Sequence, residues 1–254
     1  MADEAILWAH RLRRSFGGVR AVDDVSLEVR RGEALGIIGP NGSGKSTLIN
    51  LLSGFLRPDS GEVYFKGRNI TRLPPDARAS LGIVRSFQMP RPFYSLPAFK
   101  NLVIPLFSSR ARHQLGSRYG DRDEVAIHLL EDVGFERDSD VPFKPASALP
   151  HGYLKRLELA RCLALRPEVL LLDEPFAGMS MSEVAGIMPL LERLLEEGCT
   201  LVLVDHRLSE LFRLVRRVVV LNFGQKIAEG PPSEVIRLET VQRAFLGSED
   251  GSGA

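Results

Sequence analysis

Residues 39 to 47 read Gly39-Pro40-Asn41-Gly42-Ser43-Gly44-Lys45-Ser46-Thr47, directly after the apolar run Ala34-Leu35-Gly36-Ile37-Ile38. The spacing G-x-x-x-x-G-K-[ST] is met by Gly39, Gly44, Lys45 and Ser46. It is the pattern of a phosphate-binding loop that closes a strand and opens a helix. The glycines let successive backbone N–H groups converge on a phosphate with no Cβ in the way. A helix beginning near Lys45 adds its unpaired N–H groups and the positive end of its dipole. Lys45 is placed to reach the β- and γ-phosphates, the Ser46 hydroxyl suits Mg²⁺, and Thr47 stands near the α-phosphate. A Gly-rich turn in a sheet protein is the plain alternative, but average composition yields the full pattern only about once in a hundred chains of this length. The loop points to a nucleoside triphosphate.

Other polar groups stand where such a ligand needs them. Val169-Leu170-Leu171-Leu172-Asp173-Glu174 is an apolar strand ending in two carboxylates, and strand alternation points the two side chains in different directions. Asp173 suits the Mg²⁺ shell, and Glu174 suits the polarisation of an attacking water. The structural alternative is an acidic strand end that caps the next helix. His206 follows the run Leu201-Val202-Leu203-Val204-Asp205, again at the strand edge where open α/β sheets bind ligands, and is a candidate γ-phosphate contact. Gln88 follows Gly82-Ile83-Val84-Arg85-Ser86-Phe87; its amide there can touch Mg²⁺ or the attacking water.

The elements that must position these groups are legible as a β/α alternation. Apolar runs lie at residues 25–29, 35–38, 63–65, 82–87, 169–172, 200–204 and 218–221, with helical patterns between several of them, the first over residues 45–53. This predicts an α/β fold with a parallel or mixed sheet covered by helices. The runs 169–172 and 201–204 lack polar alternation, as strands buried on both faces do. Val25-Ser26-Leu27-Glu28-Val29 alternates, which predicts an antiparallel sheet with one solvated face. The rhythm breaks at about residue 92 with Pro92, Pro97, Pro105, Pro142 and Pro145 and a polar run over 108–122 that holds Arg110, Arg112 and Arg118. Helical patterns over 98–107, 122–133 and 154–166 make this a helical insertion, about residues 92–166, within a single domain of residues 1–247. The arginines read as a solvated loop. Residues 248–254 read as a disordered tail.

Composition sets outer bounds. The 254 residues are 44% hydrophobic, enough for one large packed domain. A net charge of +1 gives no sign of a nucleic-acid partner. Cys162 and Cys199 fit no metal spacing and lie in apolar stretches, as buried thiols of a reducing compartment do. No run of about 18 apolar residues and no targeting pattern is seen, so a soluble, cytoplasmic chain is expected.

Taken in order, residues 39–47, Gln88, 149–153, Asp173-Glu174 and His206 resemble the ATP-binding cassette (ABC) ATPases over nearly the whole chain. In detail the segments 15–25, 149–152, 228–235 and 241–247 are similar to the cassettes of branched-chain amino-acid importers. The resemblance implies a P-loop core with a mixed sheet, an antiparallel β subdomain and an inserted helical subdomain, using ATP and Mg²⁺. Phe16 would stack on the adenine. Two cassettes would meet head to tail, identical or not, each completing the other's site with its signature segment Leu149-Pro150-His151-Gly152-Tyr153, Gly152 facing the nucleotide. Transmembrane permease subunits, and through them a solute-binding protein, are the implied partners, on the cytoplasmic face of the inner or plasma membrane. A lipid or lipopolysaccharide exporter ATPase, a soluble non-transport cassette and a degenerate slow subunit are the alternatives.

The chain departs from the general signature Leu-Ser-Gly-Gly-Gln at three places. Pro150 replaces the serine, as in the importer subgroup, while Tyr153 and Leu154 stand where a glutamine pair is usual. The loop Phe176-Ala177-Gly178-Met179-Ser180 lacks the family's aspartate, with Ser180 as the nearest polar substitute.

Overall fold

The computed structural model describes residues 5–115 and 121–246. The first strands form an antiparallel sheet: β1 (Ala5–Phe16), β2 (Val19–Arg30), β4 (Ser60–Phe65) and β5 (Arg68–Asn69), in the order β2-β1-β4-β5. Val25, Leu27 and Val29 point into the core and Glu28 out, as the alternation of β2 requires. β1 is not among the apolar runs read from the sequence. The strand continues through Arg13 and Arg14 because Leu12, between Arg11 and Arg13, is fully buried, while Arg11 and Arg13 pair with Asp24 across the sheet and Arg14 with Asp59.

The second sheet has β3 (Ala34–Ile38), β6 (Ile83–Arg85), β7 (Val169–Asp173), β8 (Thr200–Val204), β9 (Arg217–Asn222) and β10 (Gln225–Gly230), in the order β10-β9-β3-β8-β7-β6. All its neighbours run parallel except β10 against β9. β3, β7 and β8 are buried at every residue, the expected signature of parallel strands covered on both faces. Their side chains divide between two cores. Val169, Leu171, Val202 and Val204 join the antiparallel sheet and helix α1 (Lys45–Ser53); Leu170, Leu172, Leu201 and Leu203 join the helices on the other face.

Those helices include the inserted ones. α2 (Pro75–Leu81) precedes β6; then come α3 (Lys100–Leu106), α4 (Ser109–Leu115), α5 (Arg122–Asp132) and α6 (His151–Leu163). Leu102, Leu106, Leu129, Leu130 and Leu157 lie in the same apolar cluster as Leu170 and Leu172, so the insertion buries its faces on the main core. The remaining helices are α7 (Met181–Glu196), α8 (Leu208–Leu214), α9 (Pro232–Val235) and α10 (Glu239–Leu246). Among the described residues no helix is long and apolar enough to cross a membrane.

Two segments differ from the sequence reading for clear reasons. The run 82–87 is a strand only over Ile83–Arg85, because Gly82 ends α2 in the left-handed region and the chain leaves the sheet after Arg85. The polar run 108–122 is a helix over Ser109–Leu115, and Arg110 is a structural clamp rather than part of a solvated loop. Its guanidinium donates to the carbonyls of Arg166 and Leu81 and to Glu168 Oε1. Arg118 and residues 248–254 lie outside the described residues. Cys162 and Cys199 are both buried, and burial pushes the Cys199 thiol up to about 12.

Arg78 of α2 is fully buried beneath the phosphate-loop helix. It donates to the carbonyls of Leu51 and Leu52 at 2.7 Å, and to those of Thr71 and Leu73, so it reinforces the C-terminal cap that left-handed Gly54 gives α1 through its N–H on the Leu51 carbonyl. Burial lowers its pKa to about 10, which leaves it charged at neutral pH. Arg78→Ala strands several buried carbonyls and should lower stability by about 3 kcal/mol or more, read from urea unfolding.

Candidate nucleotide site

β3 runs fully buried into the loop at Gly39, and the loop's conformation explains its glycines. Gly39, Gly42 and Gly44 have φ of +151°, +76° and +103°. A Cβ on Gly39 would lie 2.1 Å from the Leu221 carbonyl, and one on Gly44 would lie 2.2 Å from the Ala21 carbonyl. Crowding of backbone on backbone thus leaves no room for any other residue at either position. The turn between β9 and β10 stitches the loop to β2: Gly224 N–H donates to the Ser43 carbonyl, and Asp23 N–H donates to the Gly224 carbonyl. α1 starts at Lys45 with Gly44 as its N-cap and no side-chain cap hydrogen bond. Asn41, Gly42 and Ser46 are exposed, Thr47 is half-buried and Ser43 is buried beneath them.

Lys45 folds back over this loop, its Nζ donating to the Gly39 and Pro40 carbonyls at 2.8 Å. Burial lowers the Lys45 pKa, and the nearby charges of Glu174 and Asp173 oppose that shift. Asp173, the last residue of β7, accepts from Arg85 Nη2 at 2.8 Å in a nearly buried ion pair. Arg85 also donates to Asn50 Oδ1 on α1. Glu174 turns the chain sharply, with φ of +49° and its N–H on the Val204 carbonyl. The divergence of the two carboxylates therefore comes from this left-handed turn as well as from strand alternation. Gln88 Nε2 donates to Glu174 Oε2 at 2.6 Å, so the two residues meet although 86 positions separate them.

His206 stands just past β8, which neighbours β7, but its exposed ring is not bonded into this cluster; Nδ1 lies 3.8 Å from Asp205 Oδ1. Asp205 is buried and accepts from the N–H groups of Phe176 and Arg207, which orders both strand-end loops. Phe16 ends β1 half-exposed, with the Arg14 guanidinium 4.9 Å from its ring centre.

The signature segment sits differently from expectation. Helix α6 begins at His151, not at residue 154, because Pro150 serves as N-cap with φ already at −57°. Gly152 is covered by Glu183: a Cβ there would lie 1.8 Å from Glu183 Oε1. Ser180 is committed to a capping box with Glu183 at the start of α7, so its hydroxyl does not stand in for the missing aspartate. The Tyr153 hydroxyl donates to Glu136 at 2.6 Å while its ring packs edge-on against Phe135. That bond lowers the Glu136 pKa and raises that of Tyr153.

Sequence reasoning missed Arg85 and Lys155. Lys155, on α6, is buried and donates from Nζ to the carbonyls of Gln88, at 2.5 Å, and Glu174, at 3.2 Å. In sequence it sits within Leu154-Lys155-Arg156-Leu157-Glu158, where nothing separates it from a solvated charge.

A phosphate loop at the carboxyl edge of a parallel sheet, faced by an Asp-Glu strand end, defines a P-loop nucleotide-binding protein. The ABC transporter family model matches residues 22–177, and the chain belongs to the ABC transporter ATPases. It is 34% identical to a probable branched-chain amino acid transport ATP-binding protein LivG of Archaeoglobus fulgidus, over 96% of each chain. It is also 34% identical to the lipopolysaccharide export system ATP-binding protein LptB of Escherichia coli, over 96% of this chain and 98% of LptB. Among solved structures it resembles an ATP-binding cassette of an ABC transporter in its ADP conformation, with a TM-score of 0.82, 32% identity and coverage of 96% and 99%. The chain is therefore a nucleotide-binding ATPase subunit of a transporter.

Gly44→Ala should strain the loop by about 2 kcal/mol and weaken ATP binding by roughly thirtyfold in calorimetric titration. Gly67→Ala is the control: it also has a positive φ, +73°, but opens on free space, and should leave ATP binding unchanged.

Proposed function

We propose that the chain binds and hydrolyses Mg²⁺–ATP as one half of a head-to-tail cassette pair and drives an importer of branched-chain or related amino acids. The observation that carries the hydrolytic part is the 2.6 Å contact between Gln88 and Glu174 beside Lys45 and the phosphate loop. In this reading residues 39–47 hold the phosphates through their amides, and Lys45 leaves the Gly39 and Pro40 carbonyls for the β- and γ-oxygens. Glu174 accepts a proton from the attacking water, and Gln88 fixes the orientation of that carboxylate. His206, free to turn at the strand edge, reaches toward the γ-phosphate. Phe16 offers one face to the adenine while Arg14 backs the other.

The oxygen donors Ser46, Asp173 and the Gln88 amide carbonyl suit a hard divalent cation. Mg²⁺, when bound, would neutralise charge developing on the transferred phosphoryl group. Asp173 joins that shell only as Arg85 yields part of its hold. Gly152 and its helix N-terminus face the opposing cassette, where Glu183 must shift to admit a phosphate.

The importer assignment is supported by likeness to LivG of Archaeoglobus fulgidus, with permease subunits as partners at the cytoplasmic face and a solute-binding protein upstream. Equal identity to LptB keeps lipopolysaccharide export as the second reading.

Glu174→Gln should cut ATP turnover by about a hundredfold or more while ATP drives a dimer on size exclusion. EDTA should abolish both turnover and that dimer. A monomer at saturating Mg²⁺–ATP would reject the paired cassette. Uptake of labelled leucine in cells lacking the chain, restored by the wild type and not by Glu174→Gln, checks the importer reading; unaltered uptake rejects it.

A further inference from the structure

One face of α6 grips the backbone of the segment that carries Gln88. Lys155 Nζ donates to the Gln88 carbonyl. Glu158 accepts from the Phe87 backbone N–H, Cys162 Sγ approaches the Arg85 carbonyl at 3.5 Å, and Arg161 donates to the Arg91 carbonyl. Positions 155, 158 and 162 recur at helical spacing and so share that face. The same Lys155 ammonium reaches the Glu174 carbonyl, so it bonds both the Gln88 segment and the carboxylate turn.

This is a costly place for a lysine. The residue is only 6% exposed, and its hydrogen bonds go to two backbone carbonyls rather than to a carboxylate. Burial lowers its pKa, while Asp205, Glu174, Glu158 and Asp173 act in the opposite direction and favour the charged form. A methionine or leucine would fill the same face without that desolvation. What only the ammonium supplies is a fixed distance between two peptide carbonyls whose side chains form the Gln88–Glu174 pair.

We propose that Lys155 is a positioning residue for hydrolysis. By holding the Gln88 and Glu174 carbonyls together it keeps the amide and the carboxylate aligned, and it makes any shift of α6 move both at once. Movement of the inserted helices is thereby read at the reacting end of the nucleotide and not at the phosphate loop, which Lys155 does not touch. The inference rests on the proposed roles of Glu174 and Gln88.

The test compares Lys155→Met, Lys155→Gln and Lys155→Arg in the full chain, with methylanthraniloyl-ATP as the binding probe. Lys155→Met should lower kcat by about tenfold or more, because displacing a positioned group by an ångström or so has effects of that size. Probe affinity should stay within about twofold, since the phosphate loop is intact. Lys155→Arg, which can still bridge two carbonyls, should recover most of the lost kcat. Lys155→Gln keeps the packing and one donor; it should show the same split and decides the matter if the methionine variant does not fold. Unchanged kcat in the folded methionine or glutamine variant would overturn the proposal. So would kcat and probe affinity falling together in all three variants, the mark of a merely structural role. A wild type that binds the probe without hydrolysing ATP would instead reject the underlying reading of Glu174.

Discussion

Asp173 closes a strand that is buried at all its residues and half-buried Glu174 follows it, so two adjacent carboxylates there call for compensating charges of the protein itself. Three cations do so, each from a different element. Arg85 at the end of β6 pairs with Asp173, Lys45 at the start of α1 lies within the field of both, and Lys155 of α6 bonds the Glu174 carbonyl. Because the three come from the parallel sheet, the phosphate-loop helix and the insertion, compensating one strand end sets the relative placement of all three. The candidate nucleotide site is the point where those constraints meet.

The phosphate loop depends on a different constraint, which is steric. Gly39 is pressed against the Leu221 carbonyl of β9 and Gly44 against the Ala21 carbonyl of β2, so the two sheets leave no room for a side chain at either position. Lys45 completes the loop by bonding two of its own carbonyls. That arrangement keeps a partly buried ammonium satisfied within the loop itself.

At the signature segment the chain has replaced the family's polar residues with local structure. Tyr153 turns into the insertion to meet Glu136, and Glu183 lies across Gly152 while it caps α7 with Ser180. Hydrogen bonds with Ser180 lower the Glu183 pKa, so a negative charge covers the glycine that an opposing phosphate would approach. The helix N-terminus beneath favours an anion, and the carboxylate occupies that role within the single chain.

Much of this was written locally in the sequence. The phosphate loop, the two-faced burial of β7 and β8, the alternation of β2 and the acidic strand end each follow from residue types within a few positions, because side-chain period and backbone freedom are local properties. β10 was invisible for the opposite reason: Gln225–Gly230 is polar, and only the ladder offered by β9 makes it a strand. The same holds at the site. Gln88 and Glu174 could be nominated singly, but their contact, the hold of Lys155 on the backbone of both and the pairing of Arg85 with Asp173 required the parallel sheet and α6 to bring distant segments within hydrogen-bond reach. Sequence by itself determined the ligand class, since a phosphate loop is a local backbone shape. Tertiary structure alone decided which cations gather at the acidic strand end, because a charge's partner is set by packing and not by its neighbours along the chain.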